Sequence, residues 1–229
     1  AREIVEAPEM ASRFLVYGKP SPAKFSNYFR YIMIRKTGLC WVDSDMLALR
    51  PVDFSAETML FGRQKDGEGI KELNGAVLKL APDHPMLLEL IERALAGMGI
   101  STGWGNLGPM LLTELAKKHG VAHLARPRKD FYPIGGREFW KPLLAAFRDE
   151  SERATQGATF LHLWHEMYRK SGYAKDLAPV AGSFLFEKFE ALGTLDRFRR
   201  PYEGKELRYT LGAYFTPGAS SAGKNIASM

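Results

Sequence analysis

Between Phe25 and Pro51 the chain reads FSNYFRYIMIRKTGLCWVDSDMLALRP and changes period across one glycine, Gly38. Before it, Phe25, Phe29, Ile32 and Met33 recur at helical spacing and predict an amphipathic helix with that apolar stripe, capped by Ser21 or Ser26. After it, Leu39 to Val42 is a short apolar run that predicts a buried strand. The strand ends on charge. Asp43 and Asp45 flank Ser44, and on an extended chain side chains two apart share a face. Two carboxylates at the exit of a buried strand are costly unless a cation meets them. A hard divalent ion, with phosphate oxygens completing its shell, suits that donor set. Asn27 and Arg30 share a helix face one turn apart, and the planar fork of arginine suits phosphate oxygens.

The string F-S-x-x-F-R-Y, a glycine, aromatic-x-D-x-D and L-x-P resembles the DXD region of glycosyltransferase family 32, whose members include α-1,4-glycosyltransferases and capsular-polysaccharide-synthesis enzymes. An isolated DXD is weak; the whole string with its spacing is far more specific. Asn74-Gly75-Ala76-Val77, Gly108-Pro109, Phe131-Tyr132-Pro133-Ile134 and His162-Leu163-Trp164 follow in the family's order, so the likeness runs over roughly residues 1 to 190. It implies an α/β GT-A-type, Rossmann-like fold: a mixed central sheet flanked by helices, with the first strand and part of the nucleotide-base pocket in a segment ahead of residue 1. It also implies a set of roles. Asp45, Asp43 and His162 would hold Mn2+ or Mg2+; Asn27, Arg30, Trp41, Asp43, Asn74 and Gly108 would bind the donor; Asp43, Asp45 and Arg30 would serve catalysis. Relatives mostly carry Asp where this chain has Asn27, an amide that still hydrogen-bonds but lacks the charge.

Composition sets looser bounds. With 229 residues, 45% of them hydrophobic, the chain can bury one sizeable core. The expected organisation is one domain over 1–195, then a basic extension over 196–229 whose Gly/Ser/Ala-rich end reads as disordered. The net charge of +6 suits anionic partners without choosing among them. Arg197, Arg199, Arg200 and Lys205 form either a solvated face or a contact for a membrane surface or phosphorylated acceptor, and the solvated face leads. No aromatic-interleaved basic motif points to nucleic acid. The one cysteine, Cys40, forbids an internal disulfide and reads as a small buried hydrophobe. No run of about 20 apolar residues predicts a transmembrane helix, and no signal peptide is expected. Cytoplasmic placement in a bacterium, with or without peripheral membrane contact, is the expectation from these readings and the resemblance.

Other segments carry weaker signals. Strands are predicted at Ile4-Val5, 13–17, 59–62, 73–80, 121–124, 159–164 and 207–215, and helices over 85–98, 110–119, 138–147 and 182–192. Asn74-Gly75 inside a strand marks a bulge or a close backbone approach, so Asn74 is either a sugar contact or a self-satisfied bulge residue. His162 in an apolar strand is, by itself, more often a core histidine than a ligand. Trp104 is a loop anchor or a sugar platform. The function expected is a metal-dependent transfer, with retention, of a sugar from a nucleotide-sugar (a UDP-sugar above all) to a glycan or lipid-linked hydroxyl acceptor in polysaccharide synthesis. The alternatives are a carbohydrate- or nucleotide-binding module of the same fold without strong activity, and a DxD metal-dependent phosphohydrolase. Met46-Leu47 after the second Asp disfavours the phosphohydrolase.

Overall fold

The computed structural model describes residues 3–5, 7–67, 69, 72–103 and 105–215. Trp104 and the tail from 216 lie outside them. The class is mixed α/β, with helices and several small, mostly antiparallel sheets. The chain gathers into two compact units, Ala1–Pro133 with Gly157–His162, and Ile134–Gln156 with Leu163–Met229.

The first unit opens with helix α1 (Ala7–Ser12) and a hairpin of β1 (Leu15–Val16) and β2 (Lys19–Pro20). Helix α2 (Pro22–Thr37) follows. Ser21 Oγ accepts from Lys24 N at its start, Pro22 occupies the first turn, and Gly38 ends it at φ 66°, a left-handed conformation that glycine adopts without strain. Then come β3 (Trp41–Val42), β4 (Met46–Ala48), β5 (Met59–Arg63), β6 (Leu73–Leu80), α3 (Pro85–Ala96), α4 (Leu111–Lys118), the short α5 (Arg128–Phe131) and β7 (Phe160–His162). The central sheet has the order β3-β6-β5, all antiparallel, and β4 pairs separately with β7. Strand β6 is central and mostly apolar, with Leu73, Leu78 and Leu80 buried in one cluster with Tyr31 and Ile34 of α2, Leu87 and Leu90 of α3, and Leu112 and Leu115 of α4.

The second unit holds α6 (Arg148–Thr155), α7 (His165–Ser171), β8 (Leu177–Ala178), α8 (Phe184–Ala191), β9 (Arg200–Pro201), α9 (Gly204–Thr210) and α10 (Gly212–Phe215), with β9 parallel to β8. The described part of the expected extension, 196–215, is thus built into a packed unit, where Tyr202 stacks on Tyr173. Its arginines meet carboxylates: Arg199 with Asp176 at 3.3 Å and Arg200 with Glu206 at 2.9 Å. That matching suits the solvated-face reading. Among the described residues no helix is long and apolar enough to cross a membrane.

Several sequence expectations shift, each for a local reason. The buried face of α2 is Lys24, Tyr28, Arg30, Tyr31 and Ile34; the expected stripe of Phe25, Phe29, Ile32 and Met33 is only partly covered. Strand β3 sits at a sheet edge with only β6 beside it; Val42 within it and Leu39 just before it are exposed, so it is not the buried strand the run Leu39–Val42 suggests. In place of one large mixed sheet the strands of the described residues form a three-stranded sheet and separate two-stranded pairs. Residues 3–5 form a turn and bend, and 122–124 a 3-10 turn, instead of strands. Residues 138–147 do not form one helix; Pro142 interrupts them and 3-10 turns result. The stretch 207–215 is helical, not a strand, since Glu203 and Glu206 form a reciprocal capping box that starts α9.

Lys118 and His119 donate to Glu89, tying α4 to α3 and holding that carboxyl below its ordinary 4.5. A carboxyl depressed in the native state stabilises above its unfolded value, and the contribution is lost as pH falls through the native value. Glu89→Gln is therefore expected to flatten the loss of urea resistance between pH 5 and pH 3, leaving the slope at other carboxyls in place.

Candidate functional site

Helix α2, the β3–β4 turn and β7 bring the singled-out side chains together in the first unit. Arg30 leaves the buried face of α2 and its Nη2 donates to Asp43 Oδ1 at 2.7 Å. Trp41 Nε1 donates to the same oxygen at 2.5 Å, and the guanidinium carbon lies 5.4 Å from the indole centroid. Arg30 is 6% exposed, and that carboxylate and the ring face are what it packs against in place of water. Asp43 and Asp45 do not continue an extended strand: Met46 N donates to Asp43 O at 3.1 Å, closing a tight turn that starts β4. The β4–β7 register then sets Met46 opposite His162, and His162 Nε2 stands 3.2 Å from Asp45 Oδ2. His162 is buried, as the core reading of it expects, yet it faces a carboxylate, as the ligand reading expects.

The remaining candidates fall around this centre. Asn27 sits against Gly108, where a Cβ would come within 3.0 Å of the Asn27 amide; its Nδ2 donates to Ala23 O at 3.1 Å. Gly108 sits at a kink within Asn106–Met110, with a non-helical backbone at φ −109° and ψ −115°. Asn74 Oδ1 accepts from Ala76 N at 2.8 Å and its Nδ2 donates to Gln64 Oε1 at 2.8 Å, so both ends of the amide serve the strand irregularity where Gly62 pairs with Asn74. That is the bulge-residue reading of the two.

Two residues at the centre carry no role in the sequence reading. A Cβ on Gly75 would lie 2.7 Å from Arg30 Nη1, so the glycine is what admits the guanidinium beside β6. Glycine inside an apolar strand was the available signal, though not for which side chain it makes room. Tyr132 is fully buried, packs edge-on to His162 with ring centroids 5.7 Å apart, and donates to Asn74 O at 3.4 Å. Burial first, then the Asp43 charge, pushes its hydroxyl well above the ordinary phenol range, so it stays protonated; Arg30 and Asp45 also act on it. Burial likewise pushes the Cys40 thiol up to about 11, which leaves it an inert thiol at neutral pH.

Among the described residues no group of three or more His, Cys, Asp or Glu side chains is placed to hold a metal ion, so Asp43, Asp45 and His162 do not form the three-donor set the resemblance implies. Asp45 and His162 supply an adjacent carboxylate and imidazole, whereas Asp43 Oδ1 is occupied by Arg30 and Trp41. Two protein donors fit an ion of the Mn2+ or Mg2+ type, which commonly completes its shell from substrate phosphates and water. No family model matches the chain. No solved structure matches it.

Proposed function

We infer that the chain is a metal-dependent glycosyltransferase of the GT-A type, moving a sugar from a nucleotide-sugar donor to a hydroxyl acceptor. The observation that carries this reading is the meeting of Asp45 with His162 beside the Arg30–Asp43–Trp41 cluster. These are the residues the family-32 resemblance singles out, gathered from three separate elements.

In this reading Asp45 and His162 hold the ion, and Asp43, fixed by Arg30 and Trp41, presents its second oxygen to hydroxyls of the donor. The ion, when bound, offsets charge on the departing diphosphate as a Lewis acid. Arg30 and the indole keep Asp43 in one orientation, so no reorganisation is needed when the donor arrives. The bond from the anomeric carbon to the diphosphate oxygen breaks, a bond to the acceptor oxygen forms on the same face, and the acceptor proton leaves toward the departing phosphate. The donor is a UDP-sugar in the first instance, and the acceptor a glycan or lipid-linked hydroxyl.

A thermal-shift and donor-hydrolysis panel of UDP-, GDP- and CMP-sugars with and without Mn2+ tests this. Stabilisation by one donor only with metal, reduced at least tenfold in apparent affinity by Asp45→Ala, is the expected result. Donor binding unaffected by Asp45→Ala counts against the reading. A second reading, a donor-binding module without turnover, draws on the amide at Asn27 and on the double engagement of Asp43 Oδ1. Metal-dependent binding with no sugar release favours it.

A further inference from the structure

The connection between α3 and α4 borders a hollow of about 350 Å3. Its walls include Arg93 near the end of α3, Thr102, Asn106, Leu107 and Met110 on the connection, and Glu114 in the first turn of α4. That volume falls in the range of small-molecule sites, roughly 300–1,000 Å3.

Connections of this kind are ordinarily mobile, yet described residues of this one are tied down by three buried side chains. Lys24, 4% exposed, donates from Nζ to Ile100 O at 2.8 Å, Thr102 Oγ1 at 3.0 Å and, more weakly, Gly97 O at 3.4 Å. Tyr31 Oη donates to Leu107 O at 2.8 Å, and Thr113 Oγ1 to Pro109 O at 2.7 Å. An ammonium is expensive to bury, and the helices α3 and α4 already pack through apolar contacts that do not need it. The expense goes into a preformed wall.

The chemistry of the wall selects a ligand class. Arg93 and Glu114 face each other at 3.2 Å with their side chains about half exposed, so the rim carries both signs and no net charge. An anion would meet Glu114 and a cation would meet Arg93. A neutral polyol can donate to Glu114, accept from Arg93 and hydrogen-bond Thr102 and Asn106, while its C–H face rests on Leu107 and Met110. The same kinked segment, Asn106–Met110, that lines the hollow sets Gly108 against Asn27 in the candidate site. We propose that the hollow is a subsite for a neutral sugar residue of the acceptor glycan, sharing the kinked Asn106–Met110 wall with the donor site. This deepens the glycosyltransferase reading and rests on it.

Saturation-transfer NMR with a mixture of lactose, maltose and cellobiose tests it on the whole chain. Wild type and Asp45→Ala are both expected to saturate at least one disaccharide, since the hollow does not use the ion. Ala96→Phe, at an exposed position on the rim, is expected to cut the signal about fivefold or more. The double variant Arg93→Gln/Glu114→Gln, with both residues exposed, is expected to cut it about threefold and serves if Ala96→Phe fails to fold. No contact with any of the three sugars, or contact unchanged in both variants, overturns the proposal. Disaccharide contact without metal-dependent donor binding sinks the transferase reading and leaves a carbohydrate site at the hollow.

Discussion

Gly75→Val is expected to lower stability by about 2–4 kcal/mol and, on the proposed glycosyltransferase reading, to abolish donor binding, because it evicts the Arg30 guanidinium from Asp43. Even a single methyl at position 75 would lie 2.7 Å from Arg30 Nη1, and Gly75 itself is buried in the central strand. Arg30 has little room to yield: it is buried, held at 2.7 Å by Asp43 and lies over the Trp41 ring. Moving it leaves a buried cation without its partner and a carboxylate without its orientation. Urea unfolding reads the first consequence and the thermal shift with Mn2+ and donor reads the second. Gly69→Ala, where nothing lies within 4 Å of the added carbon, should change neither. A Gly75→Val protein as stable as wild type would mean that Arg30 does not depend on the close approach.

Lys24→Met is expected to cost about 2–4 kcal/mol, since a buried donor leaves and the oxygens it served stay behind unmet. Those oxygens are Leu15 O at 3.0 Å, Ile100 O at 2.8 Å, Thr102 Oγ1 at 3.0 Å and the more distant Gly97 O. Methionine keeps the length and apolar bulk of the stem, so the loss isolates the ammonium from packing. Hydrogen exchange at 97–102 should quicken by about tenfold or more, while amides in β6 quicken only by the global loss. Unchanged exchange at 97–102 would show that the connection holds itself without Lys24.

Much of the candidate site is legible in the sequence because its pieces are local. Ser21-Pro22 and Gly38 bound α2 through capping and left-handed geometry, which depend on adjacent residues alone. The length of β6 and the body of α3 and α8 follow from apolar period and from Pro85 and Ser183 at their starts. Where local signals compete, the reading drifts. Leu207 to Phe215 has β-compatible residues, but a capping box upstream makes it helix. The stretch 138–147 has helical period, but Pro142 removes the donor that one helix would need.

The helix–glycine–strand–carboxylate order at 25–51 and the glycine in β6 can be read from the string alone, as can the carboxylate, guanidinium and imidazole side chains it has to offer. Tertiary structure alone decided that Asp43 belongs to Arg30 and Trp41 while Asp45 belongs to His162. It also decided that Tyr132 lies beneath them and that Lys24 is buried to hold a distant connection. The physical reason is range. Capping, period and backbone freedom act over a few residues and leave their trace in the string. A buried charge finds its partner across the fold, and that partner is fixed only when strand register and helix packing have set which faces meet.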